Sequence, residues 1–260
     1  MNYDFICVSG YGKSGSGACI DLLKEFEYID GPDKEFRIAK DPYGLADLEF
    51  SLINNWDFVR HNTAINDFMG YCQLLARGDG LFKKTGKNFN ALLNVDLVNE
   101  TEKYIDSIVD FKYYGETLLH SYNITNTESF IRKVRSKFNM GNKKLMYFPR
   151  PDEKKFLLKT ISYIDNIFAQ YAAKNNLKKI VLNQAIPLGN ISQTIKYFDS
   201  PKLIIVDRDP RDIYATMVNE KRLLGADIGD SNILEKYLTW HKATRVRANI
   251  DIENYNLNKN

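Results

Sequence analysis

Short apolar runs alternate along this chain with longer stretches of helical periodicity. Residues 3–9 read Y-D-F-I-C-V-S, residues 179–183 read K-I-V-L-N, and residues 202–206 read K-L-I-I-V. Apolar runs without alternation are the pattern of strands covered on both faces, as in a parallel sheet. Residues 34–39, K-E-F-R-I-A, predict a further strand after a turn at Gly31, Pro32 and Asp33. Cys19, Leu22, Leu23 and Phe26 fall at i, i+3, i+4 and i+7 and predict a helix over 18–27 with one apolar stripe. Helical spacing returns in 45–76 (Leu45, Leu48, Leu52; Phe68, Cys72, Leu75) and in 152–174 (Leu157, Ile161, Ile164, Phe168, Tyr171). A short helix is expected at 190–198. Another is expected over 211–223 with Pro210 near its first position, and a last one over 231–248 with Leu234, Leu238 and His241 on one side. Residues 91–138 carry helical patterns broken at Gly115 and at 123–127. The alternation predicts an α/β fold, a parallel β-sheet flanked by helices. We expect one domain over 1–260 with a helical insertion at about 78–150.

Composition narrows the function classes. At 44% hydrophobic residues the chain can bury a sizeable core. Its net charge of +3 is too small to mark a nucleic-acid binder. Cys7, Cys19 and Cys72 make neither a disulfide framework nor a zinc spacing, which points to a reducing compartment and a cytoplasmic protein. No apolar run approaches 18 residues, so no integral membrane segment is expected, and Asp4 interrupts any signal-peptide pattern. From Arg132 to Arg150 the chain carries seven basic residues and no acidic one. That is either a solvated face or a surface for an acidic acceptor or glycan.

The chemistry concentrates where the first strand ends. Residues 10–17 read G-Y-G-K-S-G-S-G and lead straight into the first helix. A strand, a glycine-rich turn and a helix N-terminus form an anion site, because glycine lets backbone N–H groups turn inward and the helix dipole adds positive charge. Lys13 adds a full charge. The ATP-type loop G-x-x-x-x-G-K-[ST] requires glycine at position 7, where this chain has Cys7. The segment L-I-I-V-D ending at Asp207 could serve as the strand that carries an Mg²⁺-binding carboxylate. A nucleotide-dependent kinase therefore stays open, with a defect in its most diagnostic motif.

Another pattern fits these loops. Lys13, Ser14, Gly15 and Ser16 resemble the K-S-G-[TS] loop of sulfotransferases that use 3′-phosphoadenosine 5′-phosphosulfate (PAPS). The family's second signature is an arginine after a buried strand with a serine eight residues on. Residues 203–216 read L-I-I-V-D-R-D-P-R-D-I-Y-A-T, with Arg208 followed eight residues later by Thr216. The resemblance covers about residues 3–40 and 179–248. It implies a P-loop NTPase-like three-layer sandwich. It also implies that Gly12 through Gly17, with the Ser14 and Ser16 hydroxyls, hold the 5′-phosphosulfate. Lys13 would sit near the bridging oxygen, Arg208 and Thr216 would hold the 3′-phosphate, and no metal would be needed. The chain departs from the pattern in three places. Gly17 stands where a second hydroxyl residue is usual, Thr216 replaces serine, and the C-terminal nucleotide-contacting strand and loop have no clear counterpart.

In glycan-modifying members a glutamate at the start of the strand after the first helix acts as the base, and Glu35 occupies that place. An exposed strand-edge carboxylate is the alternative reading of Glu35. Asp41 and Asp47 are its rivals, His61 and His120 are weaker, and His241 reads as a packed histidine. Asn183 and Gln184 end a strand at the binding edge, either as contacts to acceptor or adenine or as loop caps. The expected activity is sulfuryl transfer from PAPS to a hydroxyl of a carbohydrate or other small acceptor. The alternatives are a P-loop small-molecule kinase using Mg-ATP, or a non-catalytic nucleotide-binding protein with a shortened C-terminus.

Overall fold

The structure, a computed structural model, describes residues 3–78, 86–115, 125–137, 143–221 and 231–257. In chain order the strands are β1 (Asp4–Gly10), β2 (Ile29–Asp30), β3 (Phe111–Gly115), β4 (Lys144–Phe148), β5 (Lys179–Asn183) and β6 (Lys202–Val206). The helices are α1 (Ser16–Lys24), α2 (Leu45–Glu49), α3 (Arg60–Ala76), α4 (Phe89–Leu93), α5 (Leu97–Ile108), α6 (Asn126–Lys137), α7 (Glu153–Lys174), α8 (Ile191–Thr194), α9 (Pro210–Asn219) and α10 (Ile233–Leu257). A π-helical turn, Phe50–Asn54, continues α2, and a 3₁₀ turn, Ile195–Tyr197, continues α8. The chain forms two compact units, one of residues 1–41, 91–95 and 164–260, the other of residues 42–90 and 96–163.

The first unit carries the expected parallel sheet flanked by helices, in the order β2-β5-β1-β6. β1 is central, and its side chains divide by the two-residue period of a strand. Ile6 and Val8 pack with Ile20 of α1 and Val181 of β5. On the other face Phe5 meets Phe168 and Phe198 edge-on, with ring centroids 5.5 and 5.6 Å apart. Cys7 is fully buried there, and burial pushes its thiol far above the ordinary range. The register pairs Val8 with Asn183 and Gly10 with Val206. Three adjacent strands therefore end level, and the segments that follow them leave from one edge.

Three expectations about local packing need correction. The stripe on α1 is rotated: Ile20, Cys19 and Leu23 face the sheet, while Leu22 is 65% exposed and Phe26 lies beyond the helix and is exposed. Residues 34–39 form no strand. Phe36, Ile38 and Ala39 are fully buried without a ladder, and the Phe36 N–H donates to the Asn183 carbonyl at 3.0 Å. The sheet position beside β5 is taken instead by the two-residue β2, next to Gly31, where a Cβ would come within 1.8 Å of the Val181 carbonyl oxygen. On α10, Leu234 and Leu238 face solvent, and the buried positions are Tyr237, Ala248 and Asp251. Tyr237 packs with Ile213 and Met217 of α9, so the helix turns its aromatic residues inward.

The second unit combines α2, α3, α5 and α6, the start of α7 and an antiparallel hairpin, β3–β4. The region expected as a helical insertion thus also contains a hairpin. Its core stacks Tyr104 on Tyr163 at 4.6 Å, with Phe68 edge-on to both. The hydroxyls are paired, Tyr163 with Thr101 and Tyr104 with Thr160, each at 2.7 Å. No helix of the described residues is long and apolar enough to cross a membrane.

Candidate functional site

The loop between β1 and α1 is tightly drawn. The Ser14 N–H donates to the Tyr11 carbonyl at 2.9 Å, Lys13 takes a left-handed conformation (φ 64°), and Gly15 does the same (φ 96°) as the cap of α1. A Cβ at Gly10 would lie 2.3 Å from Ser14 Oγ and 3.0 Å from the Val206 carbonyl oxygen, so any side chain there would force Ser14 to move. A Cβ on Gly12 would lie 3.6 Å from Met217 and 3.7 Å from Trp240, so the loop sits on α9 and α10. Ser14 is buried, and its Oγ has no hydrogen-bond partner. Leaving a buried hydroxyl unpaired costs about 1–3 kcal/mol. An anion in a ring of loop amides would accept from it.

Next to this loop, β6 delivers the second motif. Arg208 Nη1 donates to Thr216 Oγ1 at 3.3 Å, and Thr216 Oγ1 donates to the Asp212 carbonyl at 2.7 Å. The two residues eight apart in sequence are therefore in contact, across the start of α9. Asp209 caps α9 by accepting from the Arg211 N–H, with Pro210 at the first turn. Asp207, the candidate Mg²⁺ ligand of the kinase reading, is ion-paired with Arg245 of α10 at 2.7 Å. The Arg245 guanidinium also lies 3.9 Å from the centre of the Tyr11 ring, which ties the glycine loop to the end of β6. Lys13 Nζ pairs with Glu220, just beyond α9. Both side chains are partly exposed, and such a pair contributes only about 0–1 kcal/mol, so Lys13 is released at little cost.

Gln184, which ends β5, is the strut of the loop. It is held at φ 58°, and its N–H donates to the Val8 carbonyl at 2.8 Å. Its side-chain Nε2 donates to the Gly10 carbonyl at 3.1 Å and to Ser16 Oγ at 3.3 Å. Its Oε1 accepts from Lys40 Nζ at 2.8 Å. Burial, and then the charge of Arg37, push the Lys40 pKa down to about 8, against the opposing pull of Glu35 and Asp41. Asn183 Oδ1, at the same edge, is buried without a partner. Sequence reasoning found Gln184 only as one of two residues at the edge, and it missed Lys40 and Arg245. The Lys40 role comes from a long-range hydrogen bond, and Arg245 sits on a helix whose pattern points elsewhere.

Lys13 to Gly17, Arg208 and Thr216 therefore assemble at one sheet edge. Glu35 does not join them by any described hydrogen bond or ion pair; it pairs with Arg37 at 3.2 Å, and Arg37 also binds Asp41 at 2.6 Å. Asp47, the other rival, belongs to the second unit. There it accepts from the Tyr43 N–H and lines a cavity of about 690 Å³ with Arg60 and Asp67. His61 is buried in an aromatic cluster with Trp56, Phe58 and Phe148, and His241 packs on Tyr237. His120 lies outside the described residues. Comparisons with protein-family models, with curated proteins and with solved structures found no match to this chain.

Proposed function

We propose that the protein is a PAPS-dependent sulfotransferase acting on a hydroxyl of a carbohydrate or other small acceptor. One observation carries the reading: the Arg208–Thr216 contact stands beside the glycine loop, on the neighbouring strand of the same sheet edge. Two anion-binding groups next to each other suit a donor with phosphate at both the 3′ and 5′ positions, which ATP lacks. The residues fit such a donor on independent grounds, since Ser14 Oγ is buried and unpaired at the N-terminus of α1.

When bound, the donor supplies the sulfuryl group. The loop N–H groups of residues 12–17 other than that of Ser14, which stays on the Tyr11 carbonyl, and the hydroxyls of Ser14 and Ser16 bind its 5′ anion. Lys13 offsets the charge that develops on the departing phosphate oxygen. Arg208 and Thr216 bind the 3′-phosphate, with charge-assisted bonds from the guanidinium. Gln184 holds the loop in register from below. Glu35 is the proposed acceptor of the substrate hydroxyl's proton, tested by Glu35→Gln, which should abolish turnover and leave donor binding intact.

The test of the donor is thermal stabilisation by adenosine 3′,5′-bisphosphate, by 5′-AMP and by Mg-ATP. At about 100 times its dissociation constant a ligand adds about 2.7 kcal/mol, or roughly 5–10 °C for a chain of this size. The bisphosphate should stabilise most, and Arg208→Met should erase its advantage over 5′-AMP. Stabilisation by Mg-ATP alone refutes the proposal in favour of a kinase. Bisphosphate binding without sulfuryl transfer to any acceptor tested leaves a nucleotide-binding protein.

A further inference from the structure

Helix α6 is an exposed surface helix of the second unit. None of its side chains is buried, and the exposed ones include Phe130 (67%), Ile131 (44%) and Val134 (38%). The helix is set by its own sequence. The Thr125 N–H donates to Glu128 Oε2 at 3.0 Å, and the Glu128 N–H donates to Thr125 Oγ1 at 3.3 Å, a reciprocal capping box. These bonds hold the Glu128 carboxyl below the usual range, so its charge stays at the positive end of the helix. A helix of 12 residues with no packed face is marginal in water. Its apolar residues find no buried place among the described residues.

The sequence of the helix says what they suit. At about 100° per residue, Phe130, Val134 and Ile131 share one arc about 100° wide. Lys133 and Lys137 border it on one side and Arg135 on the other, all exposed. Glu128, at the cap, is the helix's one acidic residue against four basic ones. Apolar side chains between flanking cations, on a surface helix, are the layout of a helix lying in a membrane interface. There the apolar arc enters the acyl boundary, and long basic side chains reach sideways to the head groups.

We propose that α6 docks on an anionic phospholipid surface. Phe130, Ile131 and Val134 enter the bilayer, and Lys133, Arg135 and Lys137 contact acidic head groups. The apolar arc favours lipid over an acidic glycan, because a polyanion would engage the cations and leave Phe130 in water. The proposal is independent of the sheet-edge site.

The test is co-sedimentation of the full chain with vesicles of phosphatidylcholine alone and with about one-third phosphatidylserine. Binding is expected only to the anionic vesicles and should weaken as salt rises. Lys133→Gln with Lys137→Gln should lower the affinity on the order of 25-fold, about fivefold per charge. Phe130→Ser with Val134→Ser should remove binding, with the far-ultraviolet circular dichroism of the core unchanged because both side chains are exposed. No binding to anionic vesicles overturns the proposal. So does vesicle binding that survives Phe130→Ser with Val134→Ser, or retention on heparin in a protein that ignores vesicles, which would assign the face to a polyanion.

Discussion

Replacing Lys40 with methionine should stabilise the free protein near neutral pH. Lys40 is held at a pKa of about 8 against an ordinary 10.5, mainly by burial. At 1.36 kcal/mol per unit, keeping it charged in the native state costs about 3 kcal/mol. Methionine removes that cost and keeps the apolar stem. It also removes the hydrogen bond to Gln184, a loss of about 1 kcal/mol. The net gain at pH 7 is about 2 kcal/mol, or roughly 4–8 °C. The pH dependence carries the sign. Below pH 8 both native and unfolded states of the wild type hold the proton, and the full penalty applies. Between pH 8 and 10.5 the native state has lost the proton while the unfolded state still binds it, so wild-type stability rises with pH. Urea unfolding of both proteins from pH 7 to 10.5 should show the variant's advantage of about 2 kcal/mol changing by about 3 kcal/mol, so that it reverses to a deficit of about 1 kcal/mol. An advantage that does not change with pH, or a variant less stable at pH 7, refutes this account of Lys40. The same variant should loosen the loop, because Gln184 loses the partner that orients its amide. Its affinity for adenosine 3′,5′-bisphosphate should therefore fall even as its melting temperature rises.

Three further outcomes are expected. Gly10→Ala places a methyl group 2.3 Å from Ser14 Oγ; it should cost about 1–3 kcal/mol by overpacking and remove bisphosphate stabilisation in a thermal melt. Glu220→Gln frees Lys13 from its pair, so bisphosphate should bind up to about fivefold tighter by titration calorimetry, with little change in stability. Asp251 is buried in α10 and accepts from the Ile191 and Ser192 N–H groups and the Ser192 hydroxyl, so it caps α8 from across the chain. Asp251→Ala leaves those donors unpaired and should cost about 2–4 kcal/mol in urea unfolding.

Much of the first unit was legible from unbroken apolar runs. β5 and β6 fall on K-I-V-L-N and K-L-I-I-V to the residue. β5 is buried on both faces, whereas β6 is an edge strand of the sheet and partly exposed, with Ile205 39% exposed. Residues 34–39 misled through their apolar positions. Phe36, Ile38 and Ala39 are as apolar and as buried as a strand, but they fill space at the sheet edge without pairing. The edge strand that does form, Ile29–Asp30, is too short to leave a pattern. The loops were legible because glycine, lysine and serine at a strand–helix junction have few structural uses. Gln184 and Lys40 lie 144 residues apart and meet only in the fold. Arg245 was hidden by α10, whose Leu234 and Leu238 look inward in sequence and face solvent in the structure.

Several local costs gather at the sheet edge, although left-handed non-glycine residues also occur elsewhere, among them Tyr28, Tyr43 and Ser200. Lys13 and Gln184 hold left-handed backbone that a side chain disfavours. Ser14 Oγ and Asn183 Oδ1 are buried without partners, and Lys40 is kept in surroundings that resist its charge. In the second unit the buried hydroxyls of Thr101, Tyr104, Thr160 and Tyr163 are paired with one another. Unpaired buried atoms do occur elsewhere, at His61 and His241, but those rings are packed among aromatic groups. At the sheet edge one kind of ligand would relieve several costs together. Under the proposed function, an anion over the loop would accept from Ser14 and would draw Lys13 away from Glu220. Concentrated local strain and unmet polar groups are where a fold gives up stability for function, and under the proposed function the group that relieves them here is an anion.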